Sequence, residues 1–280
     1  MDDDGIRVLG RGDLADFLAL TAQDRVVNVF AEHRARATAL DPRWLGGEVW
    51  GRFEGDVLVA ACHVAANLVP VGCDPDDVRR FARHALRHGR RASTVVGEHD
   101  LVAAFCDELD GAWGPARDER WSQPHLEYVG PPRVAPDPLV RHSRADDVEA
   151  LHPACVAMYT EEVGVSPEAG GGAEAYLARV RQLVSRGWSW ARYDADGQVE
   201  FKAEVACASP WAAQVQGVWV RPDLRGQGLA VAGMAAVAES VRREVAPVVS
   251  LYVNEWNAPA RAAYEKVGFV ETARFATVMW

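Results

Sequence analysis

The segment VGPPRVAPDP, residues 129–138, carries four prolines in ten positions. Each proline fixes its own φ and removes a backbone donor, so neither a helix nor a central strand runs through such a stretch. It predicts a stiff linker that divides the chain into 1–128 and 139–280. The pattern of elements before it recurs after it.

In the second part, LVRHSR (139–144) reads as a short strand. ADDVEALHPACVAMYTEE follows as an amphipathic helix, with Val148, Leu151, Cys155 and Met158 at three- and four-residue spacing. A Gly-rich break, EAGGG, precedes a second helix, AEAYLARVRQLVSRG, with Gly187 as its terminator. WSWARYDADGQVEFKAEVACAS reads as a hairpin turning at Asp196-Gly197, and AAQVQGVWV as one more strand. Then come a glycine loop, a helix over about Leu229–Val245, the apolar strand PVVSLYV, a helix over 258–266 and the closing strands. The first part repeats this more faintly. IRVLG is a strand and DLADFLALTAQ a helix capped by Asp13. GEVWGRFEGDVLVAACHVAANLVPV is a meander turning at Gly55-Asp56, and helix, strand and helix follow. The difference lies after NLVPV. Where the second part has RPDLRGQGLA, the first has only GCDPDD. Carboxylates at a helix N-terminus satisfy the dipole themselves and repel a phosphate, so the first part keeps the fold and lacks an anion site.

At 280 residues, 49% hydrophobic and 25% charged, the chain has the composition of ordinary globular proteins. No stretch has the apolar length of a membrane span. The acidic start, MDDDGIRVLG, lacks the basic-then-apolar order of a secretion signal, so a cytoplasmic location is expected. The five cysteines are scattered, with no C-x-x-C, which suggests neither a disulfide framework nor a zinc knuckle. His84 and His88 could share a helix face, but no H-E-x-x-H accompanies them, and no metal site is expected. A net charge of −10 argues against nucleic acid as partner. It is compatible with a cationic small molecule or peptide, although plain solubility is the simpler reading.

RPDLRGQGLA, 221–230, admits three kinds of phosphate loop. A P-loop needs G-x-x-x-x-G-K-[ST], and no lysine is near. A dinucleotide fingerprint would put Gly or Ala at Val231 and needs a parallel series of strands, whereas the strand before this loop belongs to an antiparallel meander. The remaining pattern is R-G-x-G-x-A. Here Gly226 and Gly228 let the backbone approach an anion in conformations with positive φ. Successive N–H groups then converge at the positive end of the helix that begins near Leu229. Small-residue packing explains LAVAGMAAVA but not Arg225. Downstream, NEWNAPARAAYEKVGF offers Asn257 as N-cap, Pro259 in the first turn and Gly268 as terminator, with Tyr264 in mid-helix.

That order of elements resembles the GNAT acetyltransferase superfamily. VWVRPDLRGQGLA matches its R-x-x-G-x-A motif at Arg225, Gly228 and Ala230. NAPARAAYEKVGF matches N-x-x-A-x-x-x-Y-x-x-x-G-F at Asn257, Ala260, Tyr264, Gly268 and Phe269. The resemblance covers roughly 139–280, and the whole chain resembles tandem GNAT proteins of actinobacteria whose N-terminal copy is degenerate. It implies an α/β fold of the α+β kind: two tandem domains, 1–128 and 139–280, each a mixed, mostly antiparallel twisted sheet flanked by helices. It also implies acetyl-CoA as co-substrate, transfer of acetyl to a small-molecule or peptide amine, and no metal. The backbone of Val218, Trp219 and Val220 would hydrogen-bond the pantetheine arm. The loop Arg225, Gly226, Gln227, Gly228, Leu229 and Ala230 would hold the pyrophosphate. Asn254 and Asn257 would contact the arm, with Asn257 equally readable as a cap alone. Tyr264 would be the general acid. For the base, Glu204 is the first choice, with a structural ion pair to Lys202 as the competing reading. Glu161 and Glu162 lie on the segment that shapes the acceptor pocket, or form a solvated helix end. A non-catalytic acetyl-CoA sensor is the alternative function.

Overall fold

In the computed structural model, which describes residues 5–109 and 111–280, the Pro-rich segment 129–138 is neither helix nor strand. The chain before it runs β1 (Ile6–Val8), α1 (Leu14–Thr21), α2 (Val29–Thr38), α3 (Pro42–Leu45), β2 (Glu48–Glu54), β3 (Val57–Val64), β4 (Asn67–Val71), α4 (Pro75–His88), β5 (Thr94–Glu98), α5 (His99–Leu109) and β6 (Asp118–Tyr128). After it come β7 (Arg141–His142), α6 (Val148–Val163), α7 (Ala173–Ser185), β8 (Ser189–Tyr193), β9 (Val199–Ala208), β10 (Ala212–Val220), α8 (Leu229–Glu244), β11 (Val248–Tyr252), α9 (Ala258–Val267) and β12 (Val270–Met279).

Two copies of one plan are visible in the strand order. β1 to β5 neighbour one another in sequence order, and so do β7 to β11. Each set is antiparallel until its last pair, where β4 meets β5 and β10 meets β11 in parallel. A parallel pair needs a crossover, and α4 and α8 supply it. The β8–β9 hairpin turns at Asp196-Gly197 as the sequence predicts. Asp194 accepts there from the N–H groups of Asp196 and Gln198.

The chain forms two compact units. The first takes residues up to Leu126 with Tyr252–Trp256 and Glu271–Trp280. The second takes Glu127–Leu251 and Asn257–Val270. This differs from the expected division, which kept the closing strands within 139–280. β12 pairs antiparallel with β5, from Phe275↔Glu98 to Met279↔Thr94. β4 pairs with one edge of β5, at Asn67↔Thr94 and Leu68↔Val95, and β12 satisfies backbone groups on its opposite edge. Its Ala276 and Val278 join a buried cluster with Val95, Val102 and Phe105.

His84 and His88 do share a face of α4. Their rings stack at 4.2 Å, with Trp50 packed edge-on against His84, which is aromatic packing. Asp13 does not cap α1 with its side chain. It is drawn instead to Arg7 at 2.6 Å and to the N–H of Gly10 at 2.8 Å. In the second unit α6 buries Val148, Leu151 and Cys155, with Met158 partly buried beside them.

Candidate functional site

The second unit is built around the parting of β10 from β11. Their pairing spans Ala212↔Val248 to Gln214↔Ser250. β10 continues to Val220, still held by β9 at Trp219↔Lys202 and Val220↔Phe201. Between Gln216 and Trp219 the register shifts, and Gly217 takes φ +60°. A Cβ on Gly217 would sit 3.2 Å from both the Glu204 carboxyl carbon and Lys202 Nζ. The left-handed backbone favours glycine, and any side chain there would press on the Lys202–Glu204 pair. The resulting bulge bends the strand just where its ladder with β11 has ended. AAQVQGVWV reads in sequence as a plain strand, yet a glycine among β-formers is itself a bulge signal.

Beyond Val220 the chain makes a short turn over Pro222–Leu224, then Gly226 and Gly228 adopt φ +77° and +84°. A Cβ on either would meet nothing within 4 Å, so open space stands in front of the loop. Gly228 is the N-cap of α8 and supplies no side-chain cap. The Val231 N–H turns back on the Gly228 carbonyl at 3.0 Å, and no N-cap side chain reaches the N–H groups ahead of it. α4 in the first unit is the opposite case. Asp74 accepts from Asp77 N at 2.8 Å, and Asp77 accepts from Asp74 N at 3.1 Å. That capping box fills with carboxylate the place an anion would take. α8 itself is held close to the sheet, since a Cβ on Gly233 would lie 2.8 Å from the Phe201 ring. Gln227 turns its amide back on the carbonyl of Asp223 at 3.4 Å. Leu229 and Ala230, the first residues of α8, are half-buried.

The loop's two arginines are engaged. Arg221 donates to Asp194 at 2.7 Å and to Asp223 at 3.0 Å. Arg225 donates through Nε to the Val220 carbonyl at 3.0 Å and through Nη2 to Glu161 Oε2 at 2.7 Å. The indole of Trp219 donates to the other oxygen of Glu161 at 3.2 Å. Glu161, from the end of α6, is thus joined to both β10 and the loop. Sequence spacing gave no sign of that link.

α9 begins as expected. The Asn257 side chain accepts from Ala260 N at 3.3 Å, so the capping role is the one seen. Gly268 ends the helix at φ +118°. Tyr264 is buried, and its ring lies 5.8 Å from that of Phe269. Burial drives its phenol well above the usual value, and the charge of Glu162 adds to the rise. The phenol therefore stays protonated throughout the neutral range.

Glu204 takes the structural reading rather than the catalytic one. It is buried, accepts from Lys202 Nζ at 2.9 Å and from Gln216 Nε2 at 2.9 Å. Burial alone would raise its pKa, but the Lys202 charge and these hydrogen bonds outweigh that and hold it below the ordinary carboxylate value. Lys202, itself fully buried, is held charged by the same pair, its pKa raised against the pull of burial. Its ammonium also donates to Cys155 Sγ at 3.3 Å. A carboxylate so committed is a poor proton acceptor. Asn254 is buried in the first unit, where its amide oxygen accepts from Gln123 Nε2 at 2.9 Å.

Residues 179–269 match the model of the acetyltransferase (GNAT) family, and residues 47–151 match a domain of unknown function, DUF4081. No curated protein matches the chain by sequence. Several solved structures share its fold along nearly its whole length. A GCN5-related N-acetyltransferase from Sphaerobacter thermophilus is 19% identical with a TM-score of 0.62, covering 98% of this chain and 94% of that one. An acetyltransferase from the GNAT family of Colwellia psychrerythraea is 12% identical with a TM-score of 0.59, covering 98% and 99%. A tandem GNAT protein from the clavulanic acid biosynthesis pathway is 18% identical with a TM-score of 0.57, covering 98% of each. Among the described residues no helix is long and apolar enough to cross a membrane.

Proposed function

We propose, from the match of residues 179–269 to the acetyltransferase (GNAT) family and the fold shared with a tandem GNAT protein, that this chain is a tandem GNAT protein whose second unit is an acetyl-CoA-dependent N-acetyltransferase acting on an amine in a ternary complex. One observation carries this reading. An uncapped helix start, fronted by two left-handed glycines with open space before them, follows the strand that parts from its parallel neighbour.

The residues present fit the coenzyme. Main-chain N–H groups from Gly226 to Ala230 suit a diphosphate, because they converge at the positive end of α8. Each such dipole contact is worth only about 0.3–1 kcal/mol, so further contacts are needed. The main chain of Val218, Trp219 and Val220, beyond the last pairing with β11, supplies them by hydrogen-bonding an extended pantetheine arm. Acetyl-CoA supplies the activated acyl group. The Val220 N–H polarises the carbonyl oxygen as negative charge develops there. The Tyr264 hydroxyl protonates the departing thiolate. The amine attacks only once neutral, and an alkyl amine with a pKa of about 10.4 gives up its proton to solvent water first. Glu161 and Glu162, exposed at the end of α6, attract the ammonium form and bring it to the site.

The test is release of free CoA, read with a thiol reagent, from acetyl-CoA and a panel of cationic amines. Amine-dependent release is expected. The buried Lys202–Glu204 pair favours one second reading, a non-catalytic acetyl-CoA sensor, because it removes a carboxylate from base duty. Binding of acetyl-CoA without release above background for any amine would favour that sensor.

A further inference from the structure

Arg225 and Glu161 form an ion pair that is half open to solvent, with side-chain exposures of 48% and 46%. Its surroundings make it an exchangeable contact rather than a support of the fold. Arg225 keeps its place through Nε on the Val220 carbonyl, independently of Glu161. Glu161 keeps a second hold through the Trp219 indole. A solvent-exposed ion pair is among the weakest contacts a protein makes. A phosphate offers the same guanidinium a charge-assisted, bidentate partner, where Glu161 accepts through one oxygen only.

Glu161 is also badly placed for an anion. It sits three residues before Gly164, the left-handed C-cap of α6, where the helix dipole repels negative charge. With Arg225 engaged, that charge is neutralised. With Arg225 Nη2 taken up by another anion, a carboxylate is left at the negative end of a helix and becomes a ready partner for a cation.

We propose that Glu161 is a resident stand-in for the coenzyme's phosphate on Arg225, so that coenzyme loading breaks this pair and frees Glu161 to receive the ammonium of the acceptor. This rests on the reading of the second unit as an acetyl-CoA site and adds its regulation. The coupling is reciprocal: whatever weakens the Arg225–Glu161 pair strengthens coenzyme binding, and the converse holds.

The experiment is a calorimetric double-mutant cycle with CoA as the probe, on the full chain, using wild type, Glu161→Gln, Arg225→Gln and the double variant. Both side chains are exposed, so circular dichroism is expected to be unchanged across the set. Glu161→Gln is expected to tighten CoA binding about 2- to 5-fold, the worth of an exposed ion pair. Arg225→Gln is expected to weaken it. In the Arg225→Gln background, Glu161→Gln is expected to change affinity by less than about 1.5-fold, because the competition has lost its object. Unchanged or weakened binding by Glu161→Gln in an otherwise intact Arg225 protein would overturn the proposal. So would equal tightening in both backgrounds, which would mean simple removal of a negative charge near a polyanion. Failure of wild type to bind CoA at all is a different result: it overturns the acetyl-CoA reading itself, and this exchange with it.

Discussion

Tyr264 and Glu204 were the two residues named for proton transfer, and their environments separate them. Tyr264 lies buried on α9 with its phenol pushed above the ordinary value of about 10 by burial and by Glu162, so it stays protonated through neutral pH. Tyr264→Phe is expected to lower kcat by roughly 10²–10⁴-fold while leaving the Kd for acetyl-CoA unchanged. Stopped-flow turnover beside calorimetry checks the split, and equal turnover would remove the acid role. The sign of the pH dependence follows from the same shift. An acid must be protonated to act, and its pKa is raised, so Tyr264 gives no falling limb below about pH 10. The rate is expected to rise from pH 7 toward 10 as more amine becomes neutral. A decline centred below pH 9 in wild type and missing in Tyr264→Phe would contradict this. The place of Tyr264 in mid-helix was legible, because its motif fixes it on a capped helix. Glu204 was not, because alternation puts Lys202 and Glu204 on one face without revealing that the face is buried. Asn257 was ambiguous in sequence, and only the hydrogen bond to Ala260 decides for the cap.

β9 holds β10 in its bent form. Gly217 sits over the Lys202–Glu204 pair, and Gln216 bonds Glu204 from the same strand. The buried pair is thus a footing for the bulge. Removing one partner leaves a buried charge, so Lys202→Met is expected to cost about 3–5 kcal/mol. The double variant Lys202→Met/Glu204→Leu is expected to recover most of that loss, as urea denaturation would show. No recovery would mean that the pair is not the unit of stability here. The linkage has a definite sign. Glu204 has a depressed pKa in the folded state, so its contribution is present above its unfolded pKa of about 4.3 and is lost as pH falls through the lower, folded value. Destabilisation below about pH 4 is expected to be shallower in the double variant. Element types were readable because apolar spacing and turn residues set them locally. The bulge at Gly217 and the parting of β10 from β11 were not, since both depend on partners distant in sequence.

Across the whole molecule the repeated plan was legible from its order of elements, and the Pro-rich segment marked its midpoint. The exchange of the last strand was not. Nothing in VETARFATVM distinguishes pairing with β5 from pairing nearer in sequence, because a strand's pattern fixes which face is buried but not which edge it joins. Deleting Glu271–Trp280 removes Ala276 and Val278 from the first unit's core and strips a partner from β5. That truncation is expected to unfold the first unit, seen as early tryptic cleavage within residues 5–126. An unaltered digestion pattern would contradict the assignment of β12. The glycine loop is present in one copy of the plan, while a carboxylate capping box holds the same place in the other. Soaking crystals with acetyl-CoA tests the central claim most directly. Density for the diphosphate is expected at the main-chain N–H groups of residues 226–230, with the pantetheine arm along Val218–Val220. A diphosphate lodged at residues 72–77 of the first unit, or β10 and β11 closed together in the soaked crystal, would contradict it.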